Sequence, residues 1–235
     1  MANDDAGELD ALTMQLLAEL PTATLSAQLR RHGVTNGVIG GLEVLRPELR
    51  LLGRARTLRY LPFRDDLAKA RGMNVQRAML ETLRPGEVLV IDARADTSSG
   101  VIGDISALRA VRLGITGILT DSPIRDTSVI ADFGIPVYFR GHHPTSPAQA
   151  HVPFDADVAV ACGGVTIEAG DVLVGDADGV LVIPPSIAAL VAKDAAQQED
   201  EERFVAERVA EGESLTGLFP MGSEWRARYE AERRT

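Results

Sequence analysis

The stretch "GDISALRAVRLGITGILTDSPIRD", Gly103 to Asp126, puts a carboxylate at the start of a helix-like pattern and an Arg-Asp pair just past the strand that follows. Ile105, Leu108 and Val111 recur at helical spacing, and Gly114 stands where a left-handed residue closes a helix. Gly103 and Asp104 then occupy the helix N-terminus. The amides of Ile105 and Ser106 point outward there, and the helix dipole favours an anion. Gly103 lets such an anion approach the backbone closely. Asp104 reads in two ways, as the cap of the helix, which is the commoner role, or as part of an anion site. Arg125 suits bidentate recognition of a carboxylate, and Asp126 suits a hard divalent cation. Loops at the carboxyl ends of strands in α/β crossover units gather ligands, so an anion clamp beside a metal ligand is the chemistry on offer. The competing reading is a surface charge pair of little energetic weight.

Other reactive side chains fit less well. His142, His143 and His151 lie in a Pro-rich segment without a recognised zinc-ligand spacing. Cys162, in "ACGGV", has no paired histidine signature and reads as a small buried hydrophobe. Lys69 and Lys193 are the lysines among 24 basic residues, the first beside Asp65, Asp66 and Arg71, the second in an acidic helical region. Schiff-base catalysis needs a desolvated lysine, and neither position offers one. The sequence has no Walker A loop or dinucleotide fingerprint.

The elements that must hold these residues can be read from patterning. From Glu8 to Gly33 two short helices are expected, the second capped by Thr22 or Thr24 and ended by Gly33. From Leu51 to Pro184 come Val- and Ile-rich runs bounded by turn residues: "EVLVID" (87–92), "GITGILTD" (114–121), "GIPVYF" (134–139), "DVAVAC" (157–162), "DVLVGD" (171–176) and "GVLVIP" (179–184). Helices between the earlier runs predict parallel crossovers, and the close spacing of the later ones predicts antiparallel pairs. From Ser186 the chain reads helical and acidic, with Phe204, Val205 and Val209 as its few anchors. Leu215, Leu218, Phe219, Trp225 and Tyr229 follow, and a neighbouring subunit is their expected cover. The division expected is an α/β domain over 1–185, N-terminal helices included, and an acidic helical extension over 186–235.

Composition excludes several classes. Of 235 residues 45% are hydrophobic and 25% charged, with mean hydropathy +0.02, as in a soluble globular chain. The net charge of −10 argues against nucleic acid or anionic lipid as a partner. A single cysteine permits no intrachain disulfide, "MANDDAGELD" lacks a secretory pattern, and no apolar run reaches bilayer length. A cytoplasmic location is expected.

Asp104, twenty residues, then Arg125-Asp126 resembles the signature of the family that contains 4-hydroxy-4-methyl-2-oxoglutarate aldolase and the regulator of ribonuclease activity A. "TATLSAQLRRHG" resembles its early helix and "AGDVLVGDADGVLVIP" its late strand pair, so the likeness spans about Thr22 to Gly212. "DSPIRD" departs from the Gly-Ala step more usual before the Arg-Asp, and Pro123 stiffens that turn. The resemblance implies a swivelling β/β/α-type α/β domain, assembled as a homotrimer or homohexamer with the site at the subunit boundary. It also implies a divalent metal, magnesium or manganese, and cleavage of a carbon–carbon bond that yields pyruvate. By position, the backbone of Gly103, Asp104, Ile105 and Ser106 would hold the carboxylate of a small anionic 2-oxo acid. Arg125 would bind the keto-acid oxygens, Asp126 would ligate the metal, and Asp104 would orient water on it. A glutamate on a late helix would reach the neighbour's site, with Glu199 and Glu202 at the plausible offsets.

Such a site suits a 4-hydroxy-2-oxo acid, such as 4-hydroxy-4-methyl-2-oxoglutarate or 4-carboxy-4-hydroxy-2-oxoadipate, because cleavage leaves an enolate that a metal and an arginine can stabilise. Oxaloacetate gives the same enolate on losing carbon dioxide, so decarboxylation is an expected side activity. The alternatives are a non-catalytic inhibitor of ribonuclease E and a related sugar-acid lyase. The extension from Ser186, largely lacking in the short regulator forms, favours the enzyme.

Overall fold

A computed structural model describes residues 9–233. Helix α1 (Ala11–Glu19) is capped by Asp10, whose Oδ1 accepts the Thr13 amide at 2.7 Å, and α2 (Thr22–Arg31) ends at Gly33, whose φ is +92°. Short strands β1 (Val38–Ile39) and β2 (Glu43–Leu45) precede the long β3 (Leu51–Pro62). Helices α3 (Asp65–Arg71) and α4 (Asn74–Leu80) lead to β4 (Glu87–Asp92), α5 (Asp104–Arg112) to β5 (Gly117–Thr120), and α6 (Thr127–Ala131) to β6 (Val137–Phe139). Strand β7 (His151–Ala156) and two hairpins follow, β8 (Val160–Cys162) with β9 (Val165–Ile167), and β10 (Val172–Asp176) with β11 (Gly179–Ile183). Helices α7 (Pro185–Ala210) and α8 (Ser223–Glu232) close the chain.

The main sheet runs β1-β11-β10-β3-β4-β5-β6-β2. Its centre, β3 to β6, is parallel, and both late hairpins are antiparallel, as the spacing of the runs predicts. Strand β3 serves two partners on one edge. Its first half pairs with β10 and its second half with β7, with a register shift between Arg59 and Tyr60. The "EVLVID" run is apolar without a break because both of its faces are covered. Leu89 and Ile91 pack in the helix-covered layer with Ala107, Ala110 and Ile130, while Val88 and Val90 pack against Val160, Cys162, Val165 and Ile167 of the hairpin β8–β9.

Three expectations are corrected, and for α5, a helix as its spacing predicts, the buried face is newly defined. "DVAVAC" forms a strand only over its last three residues, because Asp157 turns the chain with φ +54° and is held by Arg56 at 2.7 Å. The Ile105–Leu108 stripe of α5 faces outward, 74% and 38% exposed; the buried face is Ala107 and Ala110, whose small side chains let the helix lie close to the sheet. Neither Thr22 nor Thr24 caps α2. Asp176, the last residue of β10, instead accepts the Thr22 amide at 2.9 Å and its hydroxyl at 2.6 Å, and pairs with Arg50 at 3.0 Å. The tail packs on its own chain, since Leu218 and Tyr229 are buried against Phe204 and Val205 with Trp225 beside them; Leu215 and Phe219 stay exposed.

The first half of α7 belongs to the main body: Ala188, Val191, Ala192 and Ala195 pack with Leu17, Leu25 and Leu29 over Val174 and Leu181. Among the described residues no helix is long and apolar enough to cross a membrane.

Burial alone would raise the pKa of Asp176, but hydrogen bonds from Thr22 and Asp178 and the charge of Arg50 hold it below the ordinary value. Burial pulls Arg50 downward, yet an arginine stays charged wherever folding is measured, so Asp176 controls the pair. A lowered folded pKa stabilises above the unfolded value, about 3.9, and that stabilisation is lost as pH falls through the folded pKa. Asp176→Asn is expected to cost about 1–2 kcal/mol at pH 7. In urea melts the gap to the wild type should narrow as pH falls below the unfolded value and on through the lowered folded pKa; a gap independent of pH would show that the charge is unimportant.

Candidate functional site

The loops beyond the carboxyl ends of β4, β5 and β6 do not fan apart. The Val101 amide donates to the Pro123 carbonyl at 2.8 Å and the Arg125 amide to the Ile102 carbonyl at 2.9 Å. On the other side the Ile124 amide donates to the Gly141 carbonyl at 3.2 Å and the His143 amide to the Ile124 carbonyl at 3.0 Å. Residues 101–102, 123–125 and 141–143 are therefore tied side by side by backbone hydrogen bonds, with one parallel bridge, between Ile124 and His142. Ile124 is fully buried, and the next residue, Arg125, sits at the mouth with its side chain 32% exposed. A Cβ on Gly100 would stand 2.3 Å from Arg125 Cγ, so the guanidinium stem lies directly on this glycine.

Arg125 and Asp126 both come to the start of α5. The N-cap is Gly103, with no side-chain cap, so Asp104 is the first helical residue rather than the cap that residue type alone suggests. Its Oδ1 accepts the Ile105 amide at 2.7 Å, and Ser106 stands in the same turn. Asp126 has left-handed backbone, φ +53° and ψ +36°, where it begins α6, and its carbonyl accepts the Val129 and Ile130 amides at 3.0 Å each. Its Oδ2 lies 3.4 Å from the Asp104 amide and 3.9 Å from Arg125 Nη2. Gly103, Asp104, Ile105, Ser106, Arg125 and Asp126 thus share one mouth.

The same loops hold buried polar atoms without protein partners: Ser99 Oγ, Asp121 Oδ1, Ser122 Oγ and Arg125 Nε. Sequence reading missed Ser99, Gly100, Asp121 and Ser122. Their signal was the matched aspartate at the ends of "EVLVID" and "GILTD". Both aspartates are nearly buried and grip the backbone of the β8–β9 hairpin, Asp92 through the Ala161 amide at 3.3 Å and Asp121 through the Gly163 amide at 2.9 Å.

The histidines do not converge. His142 Nδ1 shares a hydrogen bond with the Thr127 hydroxyl at 2.9 Å and Nε2 faces Glu43 at 3.2 Å. His143 Nδ1 accepts the Thr145 amide at 3.1 Å, and His151 Nδ1 accepts from Arg94 at 3.3 Å. Among the described residues no three His, Cys, Asp or Glu side chains cluster as a ready-made metal cage. Lys69 and Lys193 are exposed.

Glu199 and Glu202 lie on α7 away from this mouth. Glu199 accepts from the Thr24 hydroxyl, and Glu202 accepts from Gln198 at 2.7 Å. Glu202 lines a cavity of about 610 Å³ between α2, α7 and the tail, with Gln28, Arg31, His32 and Phe219. Its charges are largely spent internally, His32 on Asp194 at 2.8 Å and Arg226 on Glu201 at 2.7 Å.

A sequence model described as RraA-like, Aldolase/RraA, matches residues 22–182. The chain belongs to the Aldolase/RraA family. It is 32% identical over 206 residues to a Halalkalibacterium halodurans protein named "Putative 4-hydroxy-4-methyl-2-oxoglutarate aldolase", covering 86% of this chain and 91% of that one. It resembles the crystal structure of Streptomyces coelicolor RraAS2, titled an unusual member of the RNase ES inhibitor RraA protein family, with TM-score 0.76 and 32% identity over 84% and 97% of the two chains. A protein of Pseudomonas syringae pv. tomato titled as uncharacterized superposes with TM-score 0.81 and 25% identity, over 92% and 96%. The α/β architecture is thus the RraA-like fold.

Within that fold Cys162 is buried, and desolvation, reinforced by Asp121 and Asp92, pushes its thiol pKa upward. It is expected to resist thiol reagents at pH 8 in the folded protein and to react fully in denaturant. Rapid native labelling would mean that the hairpin opens.

Proposed function

We propose that this chain is a divalent-metal-dependent pyruvate aldolase acting on a 4-hydroxy-2-oxo acid, such as 4-hydroxy-4-methyl-2-oxoglutarate or 4-carboxy-4-hydroxy-2-oxoadipate. The observation that carries this reading is the meeting of Arg125 and Asp126 at the amide end of α5. The aldolase name of the Halalkalibacterium relative supports it.

The donor set fits the metal. Magnesium is commonly held by one or two carboxylates and several waters, and Asp126 with Asp104 offers two carboxylates at one mouth without a closed cage. Bound there, magnesium or manganese supplies positive charge where the enolate oxygen develops. The α5 amides and Gly103 receive the carboxylate of the pyruvate unit. Arg125 holds the keto-acid oxygens in a plane and stabilises the charge that grows on them. Asp104 orients the water that accepts the 4-hydroxyl proton. The C3–C4 electron pair then passes to the pyruvate unit as its enolate, the other fragment leaves as a carbonyl compound, and C3 takes up a proton. Oxaloacetate losing carbon dioxide reaches the same enolate, so decarboxylation follows as a side activity. The exposed lysines leave a Schiff base without a donor.

Assembly as a homotrimer or homohexamer belongs to this reading, as does a cytoplasmic location. The outward Ile105 and Leu108 of α5, with Val129 of α6 45% exposed, put apolar surface beside the mouth, where a neighbour's Glu199 or Glu202 would complete it. The likeness to RraAS2 supports a second reading, a non-catalytic inhibitor of ribonuclease E.

Coupled pyruvate release across 4-hydroxy-2-oxo acids, sugar acids and oxaloacetate, with and without magnesium, separates the readings. Turnover is expected to vanish in excess chelator and return with magnesium; full turnover in verified absence of metal would refute the mechanism. No turnover, together with inhibition of ribonuclease E, would favour the second reading. Arg125→Lys keeps charge but loses the planar fork, and kcat should fall on the order of a hundredfold with little change in melting. Near wild-type kcat in that variant would reduce Arg125 to a surface charge.

A further inference from the structure

The Asp126 carboxylate occupies the place where the proposed reading puts the substrate's. Its Oδ2 lies 3.4 Å from the Asp104 amide at the head of α5 and 3.9 Å from Arg125 Nη2. A Cβ on Gly103 would stand 2.7 Å from the same oxygen, so the glycine leaves room for this carboxylate as it would for a ligand's. One negative oxygen thus sits between the two features that attract an anion, the helix end and the guanidinium.

The backbone of Asp126 is fixed, because its carbonyl receives the Val129 and Ile130 amides that start α6. Its side chain is 35% exposed, and no strong ion pair ties it down. Rotation about its side-chain bonds therefore moves the carboxylate without moving the loop. From this geometry we infer that Asp126 is the resident anion of the α5 seat, and that a divalent cation opens the seat by drawing that carboxylate away. The inference rests on the proposed reading for the identity of cation and ligand. It gives Asp126 a second duty beyond ligation, and it imposes an order: cation first, 2-oxo acid second. Without a cation a small carboxylate competes with a tethered one and binds weakly.

The consequence runs against the usual result of removing a metal ligand. Asp126→Gly suits the left-handed backbone and deletes the carboxylate, while Asp126→Asn keeps shape and backbone preference but removes the charge. Pyruvate binding is measured by calorimetry on metal-free protein, with melting curves to verify folding. Both variants are expected to bind pyruvate at least about tenfold more tightly than metal-free wild type, the scale of gain when a charged competitor leaves a charge-assisted site. Magnesium should tighten pyruvate binding to the wild type and leave the variants unchanged. Asp104→Asn removes an equal charge nearby but leaves Asp126 seated, so its gain should be much smaller.

No gain in either folded Asp126 variant would overturn the inference, as would an equal gain in Asp104→Asn, which would mean a general field effect. The proposed function stands or falls separately. A wild type that releases pyruvate while its Asp126 variants gain no affinity keeps the aldolase and discards the seat. Variants that gain affinity in a chain without lyase activity keep the seat and discard the aldolase.

Discussion

The set of backbone hydrogen bonds that ties residues 101–102, 123–125 and 141–143 together is the constraint on which the site depends. Loops beyond strand ends ordinarily lose their mutual register, and a long side chain on such a loop samples many positions. Here backbone hydrogen bonds tie the loop after β5 to the loops after β4 and β6, with a parallel bridge between Ile124 and His142, so the backbone of Arg125 is fixed on both sides. Alternation then does the sorting: Ile124 goes down into the core and Arg125 to the mouth. Gly100 removes a Cβ that would clash with the arginine stem. The entropy of holding a guanidinium in place is thereby met in folding rather than at the moment of binding.

Much of this was legible in the residues. The "EVLVID" run signalled a strand, glycines marked the helix ends, and the Asp104 to Arg125-Asp126 spacing marked residues that meet at one helix end. What escaped depended on contacts distant in sequence. The α2 cap lies in Asp176, more than a hundred and fifty residues away, so the nearby threonines were the natural but mistaken choice. The Ile105, Leu108 and Val111 spacing marked the α5 helix correctly but not its buried face, because an alanine face buries a helix more closely than larger side chains do, which leaves Ile105 and Leu108 outside. The tail hydrophobics needed a cover, and α7 supplies it from within the chain. Asp121 was signalled by the matched aspartates that end two strands, but Ser99 and Ser122 carry no pattern of their own, and only folding reveals that their hydroxyls are buried without protein partners among the described residues.

Two regions of opposite character result. At the mouth, polar atoms are buried and left unsatisfied, and a non-glycine residue holds left-handed backbone, features that persist only where the surroundings over-determine them. Around α7 and α8, the charges answer one another, as with Arg226 on Glu201 and Arg208 on Glu232. In the first region Ser99, Asp121, Ser122 and Arg125 each keep a buried polar atom without a protein partner among the described residues. The second has spent most of its charges within the chain.

The double pairing of β3 has a dynamic consequence. This one strand is bonded to β10 in its first half, to β7 in its second and to β4 along its other edge, so separating any of these requires breaking into the same backbone. The β3 and β4 amides should therefore exchange with solvent only on global opening, whereas the small cluster of Phe204, Leu218 and Tyr229 can open alone. The loops that carry Arg125 are anchored through β5 to that slowest-opening pair. A molecule whose C-terminal helix has frayed would still hold residues 101–126 in place, so the chain can lose its outermost helix, to heat or to a protease, before the arrangement of Arg125 and Asp126 is disturbed.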